Sequence, residues 1–259
     1  MDALIFDCDG VLAETEQHGH LPAFNQAFRE FGLPVYWSEE VYAEKLKIGG
    51  GKERMAGDLS TEICTDHGHP GRRARQRLLE QLHLRKSRLF QERVRSGELR
   101  PRPGVRRLIA DAVADGWTVA IASTATESSV RAVLESVAGE ELAGKCHVFA
   151  GDIVAHKKPA PDIYLKVVGE LRLDPEKCIV IEDSARGCQA AISAGLATVA
   201  TPSAYTIGQD FTGCARVLPH LGDPEDPIPD GEEYGDLAGR HVELRDLRNI
   251  LHRHGHGHT

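Results

Sequence analysis

Two aspartates one residue apart, Asp7 and Asp9, follow a short apolar run from Ala3 to Phe6 and lead into Gly10. In an open α/β sheet, ligands bind beyond the carboxyl ends of the strands. A glycine there allows the tight turn that keeps both acids near one place. By itself the segment also reads as a polar turn, because Asp and Gly are common in turns. Three further places set a reactive residue at the end of an apolar run or in the loop beyond it. Ile121-Ala122 runs into Ser123-Thr124-Ala125-Thr126, whose hydroxyls and backbone N–H groups at a helix amino terminus suit phosphate oxygens or serve as an ordinary helix cap. The segment His156-Lys157-Lys158-Pro159-Ala160-Pro161-Asp162 presents Lys158 from a proline-fixed loop, where it can neutralise a transferring phosphoryl group. Lys157 reads as an exposed loop charge. Ile179-Val180-Ile181 ends in Glu182-Asp183, a second acidic pair. Two acidic pairs at one sheet edge make the hard-oxygen site that Mg²⁺ prefers.

For these residues to meet, their strands must be parallel neighbours. From Trp117 onward the pattern alternates, with strands expected over 117–122, 146–150, 178–182 and 197–200 and helices over 127–137, 162–171 and 185–194. Such alternation means parallel strands joined by crossover helices. Between the first strand and Trp117 lie roughly a hundred residues with helical periodicity, far beyond an ordinary βαβ connection. That stretch reads as an inserted helical domain over 16–95, leaving 1–15 and 96–259 as the core. Ser96-Gly97 and Pro101-Arg102-Pro103-Gly104 supply the breakers at its far end, and a helix over 105–114 follows. Placed directly after the aspartate loop, the insert is expected to act as a lid. Beyond Pro219 the sequence predicts a loop, a short extended segment over 241–244 and a terminal helix marked by Leu247, Ile250 and Leu251.

With 259 residues, 41% of them hydrophobic, the chain can bury a sizeable core. A net charge of −8 argues against nucleic acid as a partner. The arginine-rich stretch 72–100 is either a solvated helix with Glu80, Glu92 and Glu98 interspersed or a basic surface for an anion. No apolar run approaches the roughly 20 residues that span a bilayer, and Asp2 stands where a signal peptide would be basic. These features predict a cytoplasmic monomer that binds no membrane. The six cysteines lie at no metal-ligand spacing and read as buried thiols of a reducing compartment. The tail residues His252, His254, His256 and His258 could chelate a metal but read as a disordered or tag-like end. Gly49-Gly50-Gly51-Lys52 invites a comparison with nucleotide-binding loops. It fails, because Glu53 stands where Ser or Thr is needed and no strand precedes it.

The order of these segments resembles the four motifs of the haloacid dehalogenase superfamily over residues 1 to about 200. The helical insert resembles that superfamily's cap, and the implied fold is a Rossmann-like parallel-sheet core with an inserted α-helical cap. Within the insert, Glu14-Thr15-Glu16-Gln17-His18-Gly19-His20, Ala23-Phe24-Asn25-Gln26-Ala27-Phe28 and Ile48-Gly49-Gly50-Gly51-Lys52-Glu53-Arg54 resemble the CbbY-type sugar phosphatases. These belong to the same branch as β-phosphoglucomutase. Glu14 departs from the pattern, which usually has Asp there, at a position that is not a motif carboxylate.

The resemblance implies that Asp7 is a nucleophile forming an aspartyl-phosphate, and that Asp9 is general acid and then base. Of two neighbouring carboxylates one has a raised pKa, and Asp9 is expected to be that one. Mg²⁺ would be held by Asp7, the Asp9 carbonyl and Asp183, with Glu182 nearby. Ser123 and Thr124 would bind phosphoryl oxygens and Lys158 would bridge nucleophile and phosphate. An aspartate-nucleophile dehalogenase would need neither Asp9 nor a cation site, whereas a sugar phosphomutase would keep the whole core and stands as the alternative. CbbY-type enzymes are linked to carbon fixation and act on xylulose-1,5-bisphosphate, an inhibitor of Rubisco, which implies a sugar bisphosphate as substrate. In the insert, Glu16 and His20 could read sugar hydroxyls, and Tyr42, Lys52, Arg54 and Arg85 are candidates for the second phosphate, since arginine pairs bidentately with phosphate.

Overall fold

The computed structural model describes residues 1–255. The chain opens with β1 (Ala3–Phe6), all four of whose residues are buried. It then leaves the sheet for five helices: α1 (Leu21–Glu30), α2 (Glu39–Lys45), α3 (Gly51–Ala56), α4 (Thr61–Asp66) and the long α5 (Arg72–Arg95). A π-helical turn, Glu16–His20, precedes α1. The chain returns as α6 (Val105–Ala114), β2 (Thr118–Ser123), α7 (Glu127–Ala138), α8 (Glu140–Ala143), β3 (His147–Ala150), α9 (Asp162–Leu171) and β4 (Cys178–Glu182). It closes with α10 (Ala185–Ser193), β5 (Ala197–Ala200), β6 (Arg216–Val217) and α11 (Leu244–Gly255). Packing divides it into two units, Met1–Glu14 with the chain from Arg100 onward, and Thr15–Leu99.

In the first unit, six strands form one sheet in the order β3-β2-β1-β4-β5-β6, every pair parallel. Strands buried on both faces by crossover helices read as continuous apolar runs, as ALIF of β1 and CIVIE of β4 do until the terminal glutamate. β1 lies between β2 and β4, with Phe6 level with Ile121 on one side and Ile181 on the other. This register brings the ends of the three strands, and hence Asp7, Ser123 and Glu182, to one edge. One face of the sheet packs Ile5, Ala122 and Val180 against Tyr164 and Val167 of α9 and Ala190 of α10.

The second unit is helical throughout its regular elements. Serines start two of its helices: Ser38 accepts from the Val41 N–H and Ser60 from the Ile63 N–H, each satisfying an otherwise orphaned donor. Its centre is aromatic. Trp37 lies 4.7 Å from Phe24, 5.0 Å from Phe28 and 5.9 Å from Tyr42, and Asn25 pins its backbone with two hydrogen bonds of 2.8 Å. The arginine-rich stretch is one 24-residue helix, α5, that buries Leu78, Leu82, Leu89 and Phe90.

Toward the carboxyl terminus the structure departs from the sequence expectation. The segment 241–243 is irregular and α11 begins at Leu244. β6, only two residues long, gave no alternation to detect. His252 and His254 belong to α11 instead of a disordered tail, because the apolar side of that helix is buried at Leu247, Ile250 and Leu251. His256 and His258 lie outside the described residues.

Candidate active site

The site grows from the turn after β1. The Asp7 N–H still bonds to Ile181 O at 2.9 Å, so the residue is held as a continuation of the sheet. The chain then turns: Leu12 N–H reaches Cys8 O at 2.9 Å and Gly10 N–H reaches Ala13 O at 3.0 Å. Gly10 takes φ +80°, and a Cβ there would lie 2.3 Å from Asp183 Oδ2. Only glycine meets both the left-handed conformation and the close approach of the second acidic pair. Asp7 is buried and Asp9 half-buried.

Lys158 is the buried cation of the site. Its Nζ donates to Asp7 Oδ1 at 2.6 Å, Glu182 Oε1 at 2.6 Å and Ala122 O at 3.0 Å, which uses all three ammonium donors. Glu182, 1% exposed, is itself saturated. Its Oε1 also accepts from Tyr164 Oη at 2.7 Å. Its Oε2 accepts from the N–H groups of Asp183 and Ser184 at 3.1 and 3.4 Å and from Ser184 Oγ at 3.3 Å. A Cβ on Gly187 would collide with this carboxylate at 1.9 Å, so α10 approaches it through a gap that only glycine leaves. Asp183 is held from another direction: Ser203 Oγ donates to its Oδ2 at 2.6 Å and Thr206 Oγ1 at 3.4 Å.

Asp7, Glu182 and Asp183 each offer a carboxylate oxygen, all within 4.8 Å of one another. An all-oxygen, anionic, buried set of this kind fits a hard divalent cation. Burial pushes the Asp7 carboxyl up to about 7; the Lys158 ammonium opposes that push, while the charges of Glu182 and Asp9 add to it. Asp7 is the more buried of the two aspartates and so bears the full cost of desolvation. Burial alone would pull the Lys158 ammonium down, but Asp7 and Glu182 hold it well above the usual lysine range. Burial and Glu182 likewise raise the Tyr164 phenol, so it stays a donor.

Ser123, 2% exposed, ends β2, and its Oγ accepts from the Ala125 N–H at 3.1 Å. Thr124 follows it, half-buried. Neither caps α7, which starts at Glu127 behind Thr126. Lys157 pairs with Asp152 at 3.2 Å. Tyr164, Ser203 and Thr206 were not anticipated. Ser203 and Thr206 follow the end of β5, so the strand-end rule that pointed to the other motifs also covers them; Tyr164 lies inside a helix and carried no such signal.

In the helical unit, Glu16, Tyr42 and Arg54 come together. The Tyr42 hydroxyl donates to Glu16 Oε2, Arg54 Nη1 donates to the Tyr42 oxygen at 3.3 Å, and Arg54 Nη1 lies 3.8 Å from Glu16 Oε1. Lys52 sits half-buried on the same short helix as Arg54. His20 is buried, stacks on Phe90 at 3.9 Å and meets Lys86 Nζ at 2.7 Å through Nδ1. Lys86, buried over the Phe24 ring at 4.3 Å, was not singled out because it sits among the charges of α5. Arg85 does not join the group. Its guanidinium is committed to Glu30 through two bonds of 2.6 and 3.1 Å and to Glu92 at 3.3 Å, which makes it a tie between α1 and α5.

The haloacid dehalogenase-like hydrolase profile matches residues 1–195. The chain belongs to that family. Among curated relatives it is 41% identical to the plasmid-encoded protein CbbY of Cupriavidus necator, over 97% of each chain. It is 42% identical to a CBBY-like protein of Arabidopsis thaliana, over 91% of this chain and 72% of that one. Among solved structures it is similar to CbbY from Rhodobacter sphaeroides in complex with phosphate, at 36% identity and TM-score 0.76, covering 85% of this chain and 94% of that chain. A variant of the same Rhodobacter protein, matched equally well, is solved in complex with xylulose-1,5-bisphosphate. This family member is thus a phosphatase of the CbbY type.

Proposed function

We propose that the protein is a Mg²⁺-dependent sugar-bisphosphate phosphatase that converts xylulose-1,5-bisphosphate to xylulose-5-phosphate. The observation that carries this reading is the buried Asp7–Lys158–Asp183 arrangement in a chain similar to a protein crystallised with that bisphosphate. Asp7 attacks phosphorus to give an aspartyl-phosphate, and Asp9 delivers a proton to the departing sugar oxygen. Asp9 then takes a proton from water, which attacks the same phosphorus, releases phosphate and restores Asp7. Lys158 fixes the Asp7 oxygen to which it donates and presents positive charge to the phosphoryl group. Glu182, with five hydrogen bonds, serves as the anchor of Lys158, while Asp7, Asp183 and the Asp9 carbonyl would hold Mg²⁺. The bound ion supplies charge that offsets repulsion between carboxylate and phosphate and favours the ionised form of Asp7. Ser123 and Thr124 bind phosphoryl oxygens. In the helical unit, Arg54 and Lys52 supply the cations that a second phosphate requires, Glu16 and His20 read hydroxyls, and Tyr42 sets the geometry of Glu16 and Arg54.

A phosphate-release assay tests the reading. Xylulose-1,5-bisphosphate should exceed its C3 epimer ribulose-1,5-bisphosphate and sugar monophosphates by at least about tenfold in kcat/KM, the scale that one misplaced buried hydroxyl costs. Arg54→Ala should erase most of that preference while sparing a small aryl phosphate. Equal efficiency on both epimers would reject the sugar, and formation of a sugar-phosphate isomer without phosphate release would mean a mutase.

A further inference from the structure

Arg102 is 7% exposed and has no part in the chemistry above, yet its guanidinium reaches four backbone carbonyls. Nη1 donates to Gly10 O at 2.5 Å and Thr201 O at 2.9 Å; Nη2 donates to Pro202 O at 3.1 Å and to Pro219 O. Its own N–H bonds to Leu12 O at 3.0 Å, and Glu14 Oε1 lies 3.6 Å from Nη1. Burying a guanidinium is costly unless its donors are matched, and here three loops supply acceptors to one planar fork. Two of those loops carry the cation site. Gly10 directly follows Asp9. The 201–202 segment bonds through the Thr201 N–H to Glu182 O at 2.7 Å and continues into Ser203 and Thr206, which hold Asp183.

The separation being fixed is a tight one. Gly10 approaches Asp183 so closely that even a Cβ would overlap its carboxylate. Arg102 links the backbones of the Asp7–Gly10 turn and the Thr201–Pro202 segment directly. Lysine could not substitute fully, because a single ammonium lacks the two-nitrogen span of the fork.

We propose that Arg102 is the positioning residue of the cation site, setting the spacing between the Asp7–Gly10 turn and Asp183 by clamping Gly10 to the Thr201–Pro202 segment. This rests on reading Asp7 and Asp183 as the ligands of Mg²⁺. Groups that orient ligands from outside a metal site are worth about 10–100-fold in metal affinity, so Arg102 variants should bind Mg²⁺ at least about tenfold more weakly.

The experiment is Mg²⁺ binding by isothermal titration calorimetry, with melting temperature followed against Mg²⁺ concentration, on the full-length wild type, Arg102→Lys, Arg102→Met and Leu134→Ala. Leu134 is buried in α7, which packs on α8, β3 and α6, and controls for lost stability alone. The expected result is weakened Mg²⁺ binding in both Arg102 variants, Met more than Lys, with wild-type affinity in Leu134→Ala, and turnover by Arg102→Lys that recovers at high Mg²⁺. Arg102→Lys keeps the charge and the stem, so it decides the matter if Arg102→Met does not fold. Wild-type Mg²⁺ affinity in a folded Arg102→Lys, or an equal loss in Leu134→Ala, would overturn the assignment. Failure of the wild type to bind Mg²⁺ would overturn the cation site itself, and Arg102's role with it.

Discussion

The Asp7 carboxyl titrates near neutrality because it is buried among acids, and this gives the metal-free protein a pH signature. Its pKa rises from 3.8 to about 7 on folding, so between those values the native state binds more protons than the unfolded chain. Stability must therefore fall as pH rises through that window and level off above about 7, with a slope of at most about 1.4 kcal/mol per pH unit. Asp7→Asn removes the titrating group. Urea denaturation in chelator at pH 5 and pH 8 should show a smaller loss for Asp7→Asn than for the wild type, and parallel losses would reject the shift. Lys158 acts with the same sign in a higher pH window. Its raised pKa means that the stability it adds is fully present below about 10.4, the unperturbed lysine value, and is lost only as pH rises through the higher folded value. Lys158→Met would strand the Glu182 carboxylate, 1% exposed, and should cost about 3 kcal/mol. Adding Glu182→Gln to that variant should recover part of the loss, since the stranded charge is gone while Tyr164 keeps an acceptor. A double variant less stable than Lys158→Met would contradict the anchoring role given to Glu182.

At the scale of elements, two helical glycines separate propensity from packing. Gly169 in α9 has nothing within 4 Å of where a Cβ would stand, whereas Gly187 in α10 faces the Glu182 carboxylate at 1.9 Å. Glycine inside a helix is less favourable than alanine by about 0.5–1 kcal/mol. Gly169→Ala should therefore stabilise by about that amount, while Gly187→Ala should destabilise, and thermal unfolding of the two variants reads both signs. A stabilised Gly187→Ala would mean that the carboxylate yields freely, against its five hydrogen bonds. The elements themselves were largely legible because their periodicities are strong: β4, β5 and α9 fall at the bounds the apolar pattern predicted. β2 lies one residue later than expected, since Trp117 bonds back to Ala112 at the end of α6 and leaves Thr118 to begin the ladder. The extended reading of 241–244 failed because buried Val242 makes one backbone bond, to Leu221 O at 2.8 Å, and the segment continues into α11 instead of a ladder.

For the molecule as a whole, the Asp7–Gly10 loop is attached to the middle of the sheet. β1 is paired on both sides and none of its residues is exposed, whereas β6 is a two-residue edge strand with Val217 at 43% exposure. Amides of β1 and β4 should exchange with solvent only at the rate of global unfolding, and those of β6 well before them. Hydrogen exchange followed by mass spectrometry would show this, and early exchange in β1 would mean that the site rests on a locally opening segment. The sequence by itself determined the parallel α/β core, the helical insert and the four segments that carry Asp7, Ser123, Lys158 and Glu182-Asp183, because three are announced locally by an apolar run ending in a reactive residue and Lys158 by the proline-fixed loop that presents it. Only the tertiary structure decided the division of labour among them. Glu182 became the anchor of Lys158 because Tyr164 of α9 and Ser184, which caps α10, converge on it, Asp183 turned to Ser203 and Thr206, and Arg85 was taken by Glu30, 55 residues away. Arg102 looked like part of a breaker segment, and its four carbonyl partners come from positions 10, 201, 202 and 219. Backbone carbonyls are present at every residue and leave no mark in composition or spacing, so contacts of this kind exist only once the chain has folded.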